Sequence, residues 1–204
     1  MIRLAVAGAA FAALGAGAAS LEITVTDARA APVEDAVVYA MPKSGARSAL
    51  PARTAEIAQK DRQFVPAVSV VQSGASVRFP NRDPFRHHVY SFSPAKVFEI
   101  KLYVGTPADP VLFDKPGEVA LGCNIHDSML GYVYVVDTPH FAKTDREGRA
   151  RIDGLPAGDY ALQVWHYAQA STAPARAIAV KAEETVAAAF SVPLRALLPR
   201  PAAN

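Results

Sequence analysis

The chain has 204 residues, of which 51% are apolar and 20% charged, with a single cysteine. That length supplies a real core for one medium domain or two small ones, and 12 Gly and 16 Pro without a repeat exclude collagen, coiled coil and disorder. With 21 Lys and Arg against 19 Asp and Glu, the net charge of +2 excludes a nucleic-acid binder, while a lone Cys123 excludes an intrachain disulfide, a CxxC redox pair and a CxxCH haem site.

Residues 1–20, MIRLAVAGAAFAALGAGAAS, read as a secretory signal. Arg3 gives the positive start, 4–14 an apolar run, and Ala16-Gly17-Ala18 a small-residue cleavage pattern, with the cut near Ala18 or Ser20. The run is too short to span a bilayer comfortably, and no later stretch reaches about 18 uninterrupted apolar residues. The expected destination is a bacterial periplasm, with no membrane span in the mature chain. That compartment is oxidising, so a free thiol is a liability there unless it is buried or bound.

The dominant period is two, punctuated by Pro and Gly, which predicts an all-β protein of short strands. Leu21, Ile23 and Val25 alternate with Glu22 and Thr24; 27–32 turns, and 36–39 resumes the strand pattern. Residues 42–58 are small and polar and read as a loop, with room for a short helix around 53–60. Strands are expected at 64–71 and 77–79, and at 87–92. In 97–103 the residues Phe98, Ile100 and Leu102 share one face. Val119, Leu121 and Cys123 share another, placing the thiol at the end of a buried strand, and 130–136 follows as a strand. The last third predicts strands at 149–152, 160–165, 177–180 and 185–192. His140 falls in an expected linker, and His166 closes a strand behind Tyr160, Leu162 and Val164. The tail 194–204 carries two prolines and is expected to fray.

The segment that carries chemistry is Gly122-Cys123-Asn124-Ile125-His126-Asp127-Ser128-Met129, a C-x-x-H-x-x-M loop between two predicted strands. A second segment, Asn81-Arg82-Asp83-Pro84-Phe85-Arg86-His87-His88, ends in two histidines at a strand start. Thiolate and thioether are soft ligands and imidazole suits copper, so two His, one Cys and a weak axial Met form the donor set of a blue-copper electron-transfer site. Taken singly, each has an ordinary reading: Cys123 a small buried hydrophobe, Met129 core filler, His126 a surface loop residue.

These residues resemble the cupredoxins, the small type 1 copper proteins, over about 60–137. The loop spacing is similar to the short ligand loop of amicyanin rather than the longer one of plastocyanin, and Asn81 followed six residues later by His87 is similar to the pattern around its first copper histidine. The stretch 113–117 also resembles the approach to that loop. The resemblance implies a Greek-key β-sandwich with one type 1 copper per chain, held by His87, Cys123, His126 and axial Met129. A shared strand face with Val89 also favours His87. His88 stands where these proteins usually carry an asparagine that ties the two ligand loops, and an imidazole N–H can supply part of that link.

The flanks resemble a carboxypeptidase-regulatory or transthyretin-like sandwich: 21–40 its opening, and 144–160 its later half. The expected organisation is therefore a signal at 1–20, flanking β-sandwich halves at 21–58 and 138–193, a copper domain at 59–137 inserted between them, and a tail at 194–204. The crossings are placed at 42–57 and 137–143. The resemblance further implies a carrier of single electrons that is no enzyme. Its partners would be a c-type cytochrome or a periplasmic dehydrogenase, docking on an apolar patch of Pro84, Phe85 and Leu130 around an exposed His126. Relatives of this kind are sometimes named methylamine-utilisation proteins, which is an association with a pathway. The same soft donors also serve a Cu(I) carrier or sensor without redox cycling, and a structural envelope sandwich with a vestigial site is a third reading.

Overall fold

The structure, a computed structural model, describes residues 18–44 and 54–195. The expected signal up to residue 17, the middle of the polar loop and the tail beyond 195 lie outside the described residues. Within them the chain forms seventeen strands and no helix. First come β1 (Ala19–Thr26) and β2 (Val37–Pro42). The middle supplies β3 (Ala55–Glu56), β4 (Ala58–Lys60), β5 (Gln63–Val65), β6 (Val68–Gln72) and β7 (Ala75–Arg78). It continues with β8 (His87–Ser93), β9 (Lys96–Tyr103), β10 (Val111–Phe113), β11 (Gly117–Gly122) and β12 (Leu130–Val136). The last third adds β13 (Phe141–Lys143), β14 (Arg149–Leu155), β15 (Gly158–Trp165), β16 (Arg176–Val180) and β17 (Thr185–Ser191).

Alternation decides which faces pair. In β1 the residues Leu21, Ile23 and Val25 are buried while Glu22 and Thr24 face out, and burying each such side chain is worth about 1.5–3 kcal/mol. β1 is central in the sheet β14-β1-β17, and β2 and β15 are central in β13-β2-β15-β16. The buried residues of the core associated with these strands come from 19–40 and 152–192, with Ala142, Ala150 and Leu194 packed against them. The middle segment builds the sheets β6-β12-β11-β8-β9 and β10-β7-β3, with the hairpin β4-β5 beside them. Its core runs from Ile57 to Val135 and includes Cys123 and Met129. A third, smaller cluster joins the two: Val37 and Trp165 from the flanks meet Val68 and Val136 from the middle.

Four expectations need correction. Of the short helix expected around 53–60, the described residues 54–60 form none; Ala55–Glu56 lies parallel to β7 and Ala58–Lys60 pairs with β5. The single strand expected at 64–71 breaks at Pro66, which has no N–H to donate. As a result β5 turns to β4 while β6 runs parallel to β12. In β9, Phe98 and Ile100 pack inward but Leu102 is exposed, because the register with β8 shifts between His87 and Val89. Such a bulge turns the following side chains over, so Tyr103, not Leu102, joins the core. The linker expected around His140 holds a strand, Phe141–Lys143, paired with β2.

Candidate metal centre

The spacing of the Cys-His-Met loop has a backbone cause. The His126 N–H donates to the Cys123 carbonyl at 3.3 Å, and the Met129 N–H donates to the His126 carbonyl at 2.9 Å. Two successive four-residue turns, sharing His126, thus set Cys123, His126 and Met129 at their ends. Both ends of the loop are pinned by glycines where chain segments crowd. A Cβ on Gly122 would meet the Tyr90 ring at 2.6 Å, and one on Gly131 would meet Phe64 at 2.9 Å.

On this frame the Cys123 Sγ lies 3.7 Å from His87 Nδ1 and 3.7 Å from His126 Nδ1. All three donor atoms fall within 4.8 Å of one another. Two donors about 2.0–2.3 Å from a shared first-row ion, roughly 120° apart, stand about 3.6–3.8 Å from each other, so the spacing fits one ion at their centre. His87 and Cys123 are buried, while His126 is half-buried at the protein surface. Met129 is buried in the same core cluster as Cys123. The group can hold one copper ion, since sulfur and imidazole are donors that copper favours.

His87 is held from behind. Its Nε2 lies 2.7 Å from Asp83 Oδ2, a carboxylate whose side chain is only 6% exposed. The carboxylate only accepts, so Nε2 carries the proton and the Nδ1 lone pair is left facing Cys123. Asp83 also accepts the N–H groups of Asp61 at 2.8 Å and Arg62 at 3.1 Å. Burial pushes the Asp83 carboxyl up, but the bond from His87 and these two backbone donors outweigh it and hold it below its ordinary value. Asp61 and Arg62 form the turn between β4 and β5 with φ of 53° and 58°. A left-handed conformation costs a non-glycine residue about 1–2 kcal/mol, which the two bonds to Asp83 offset.

The loop carrying Asp83 is itself clamped by buried Asn81. Its Oδ1 accepts the Asp83 N–H, and its Nδ2 donates to the carbonyls of Phe85 and Tyr103. Tyr103 donates its hydroxyl to Gln59 and to the Phe79 carbonyl, and burial first, then the nearby Cys123, raises its pKa far above the phenol range. Burial lowers the pKa of His126, with His87 and Arg62 adding to the effect and Asp83 opposing it.

The link expected of His88 is absent. Its Nε2 pairs with Glu99 on β9 at 2.9 Å, and its buried Nδ1 has no partner. Of the other histidines, His140 meets the Tyr160 ring edge-on at 6.0 Å, and His166 accepts the Ala168 N–H at Nδ1. His126 shares a surface groove with Phe85, Leu102 and Ile125, each 38–49% exposed, and with Arg62 and Arg86; Pro84 and Leu130 are exposed as well. Arg62 lies over Phe85, its guanidinium carbon 5.8 Å from the ring centroid. Asp83, Asn81 and Tyr103 carry roles that residue type alone did not reveal. An Asp four positions before a strand-opening His, in a loop broken by Pro84, was the one available signal for Asp83.

An all-β chain with a buried cysteine sulfur between two imidazoles is the class that fold and site define. No family model matches the sequence, and no curated protein matches it. Among solved structures the chain is similar to a purple cupredoxin from Nitrosopumilus maritimus, with 20% identity over 40% of this chain and 99% of that one, TM-score 0.36. It is similar to a reduced mutant amicyanin, with 20% identity over 48% of this chain and 99% of that one, TM-score 0.35. A copper-containing nitrite reductase from Thermus scotoductus SA-01 shares 24% identity over 47% of this chain and 25% of that one, TM-score 0.39.

Proposed function

We propose that the chain is a type 1 copper protein that carries single electrons between redox partners in the periplasm. The observation that carries this is the equal 3.7 Å separation of the Cys123 Sγ from Nδ1 of His87 and of His126. His87, Cys123 and His126 would hold the ion, with the Met129 thioether as a further, weaker donor. Bound copper supplies a one-electron couple between Cu(I) and Cu(II). The chain's part is to keep water from His87 and Cys123, to hold both imidazoles with Nδ1 turned to the thiolate, and to leave the edge of His126 open. A partner docks on the apolar surface of Pro84, Phe85, Ile125 and Leu130, in keeping with small, transient redox interfaces. A c-type cytochrome or a periplasmic dehydrogenase is the class of partner, and no substrate is turned over.

Export is part of the reading. β1 begins at Ala19, which is 1% exposed and paired with Leu155. Cleavage after Ala18 leaves this strand whole, whereas cleavage after Ser20 removes two paired residues. The copper unit at 59–137 is read as an insertion into the flanking sandwich, supported by the separate residue sets of the two cores. Limited proteolysis within 42–57 should then leave flanking fragments that stay associated, and their separation as independent pieces would overturn the insertion.

The test of the copper reading is to load the mature protein with Cu(II) and record visible and electron-spin spectra beside Cys123→Ser. An intense thiolate-to-copper band in wild type, lost in the variant, is expected; its absence from wild type would end the reading. A colourless protein that binds only Cu(I) would point to delivery without redox cycling.

A further inference from the structure

Two parts of the chain far apart in sequence converge on one buried carboxylate. Asp83 Oδ1 accepts the Asp61 N–H, and Oδ2 accepts both the Arg62 N–H and the His87 Nε2 proton. Three donors on two oxygens, with the side chain 6% exposed, describe an anion with its charge fixed in place. Asp83 is not among the proposed ligands, since His87 stands between it and Cys123. We propose that Asp83 is a positioning residue that aims His87 Nδ1 at the metal and lowers the reduction potential of the copper site; this rests on the copper reading above.

The physical reason is charge. Cu(II) carries one more positive charge than Cu(I), and a buried anion hydrogen-bonded to a ligand favours the more positive state while making the imidazole a better donor. Reduction adds one electron from the partner, or from a dissolved mediator in a titration. No bond to Asp83 forms or breaks, and its three hydrogen bonds stay in place. The left-handed turn at Asp61 and Arg62 fits this role, because its two N–H groups stop the carboxylate from rotating away from His87.

The test compares copper-loaded wild type with Asp83→Asn, which keeps size and removes the charge. Loss of such an outer partner weakens metal binding by about 10–100-fold, and the loss should fall mainly on Cu(II). Each tenfold fall in the ratio of Cu(II) to Cu(I) affinity raises the potential by about 59 mV in a mediator titration. An unchanged potential in a variant that keeps the thiolate-to-copper band overturns the role of Asp83 and leaves the copper reading standing. A wild type without that band overturns the copper reading, and the tuning effect with it. Should Asp83→Asn fail to fold, nitrogen-resolved NMR of the metal-free, reduced wild type still decides the positioning role. A slowly exchanging proton on His87 Nε2 supports it, and a proton on Nδ1 overturns it.

Discussion

Trp165 lies flat on Tyr134, the ring centroids 4.5 Å apart and the planes 16° from parallel. Trp165 ends a strand of the flanking sheet, and Tyr134 belongs to the strand that follows the Cys-His-Met loop. Beside them Tyr132 stacks on Tyr167 at 4.7 Å, Trp165 Nε1 donates to Glu118 at 3.2 Å, and Lys143 donates to the Val68 carbonyl at 2.9 Å. This aromatic seam is what joins the two cores. Trp165→Ala should therefore cost about 3–5 kcal/mol, read as a lower denaturation midpoint. A change under about 1 kcal/mol would mean that the seam contributes little.

The two adjacent histidines make a sharper pair. His87→Ala should abolish the thiolate-to-copper band, because it removes a donor 3.7 Å from the thiol. His88→Ala should only shift it, since His88 points to Glu99. If His88→Ala abolishes the band and His87→Ala spares it, the ligand assignment is wrong.

Gly131 follows Leu130 at the end of the ligand loop, and a Cβ there presses on the fully buried Phe64. Gly131→Ala should destabilise by about 1–3 kcal/mol through overpacking, measured by denaturant titration. Restored stability in Gly131→Ala combined with Phe64→Leu would show that the clash with the ring is the cause.

The flanking sandwich should lose stability in mild acid. Burial lowers the pKa of His166 and of His140 below the ordinary 6.5. A histidine whose folded value is depressed binds its proton more readily when unfolded, so its stabilising contribution is complete well above about pH 6.5 and is lost progressively as the pH falls below that toward the depressed folded value. The melting temperature should drop between pH 7.5 and 5.5, and the drop should shrink in His140→Gln combined with His166→Gln. An equal drop in that variant would place the effect elsewhere.

Much of this was readable from the chain alone. Strict alternation at Leu21, Ile23 and Val25, and at Val119, Leu121 and Cys123, identified strands because burying every second side chain leaves a signature independent of the partner strand. The C-x-x-H-x-x-M spacing was local too, since two backbone turns close within seven residues. The short strand β3 escaped, for two residues take their strand identity from a distant partner, β7; β4 escaped because its hairpin with β5 turns on Asp61 and Arg62 and not on the Gly or Asn that marks such a turn in a sequence. The exposure of Leu102 escaped because a bulge is a property of a strand pair.

Sequence by itself determined that the protein is all-β, that its single thiol stands at the buried end of a strand, just past Gly122, and that Cys123, His126 and Met129 share one loop. Those features follow from neighbours in the chain, through alternation and local hydrogen bonds. Tertiary structure alone decided that His87 meets Cys123 across 36 residues, that Asp83 holds His87 from behind, and that His88 turns to Glu99. Such choices depend on which strands come to lie side by side, and a register shift of one residue is enough to change them.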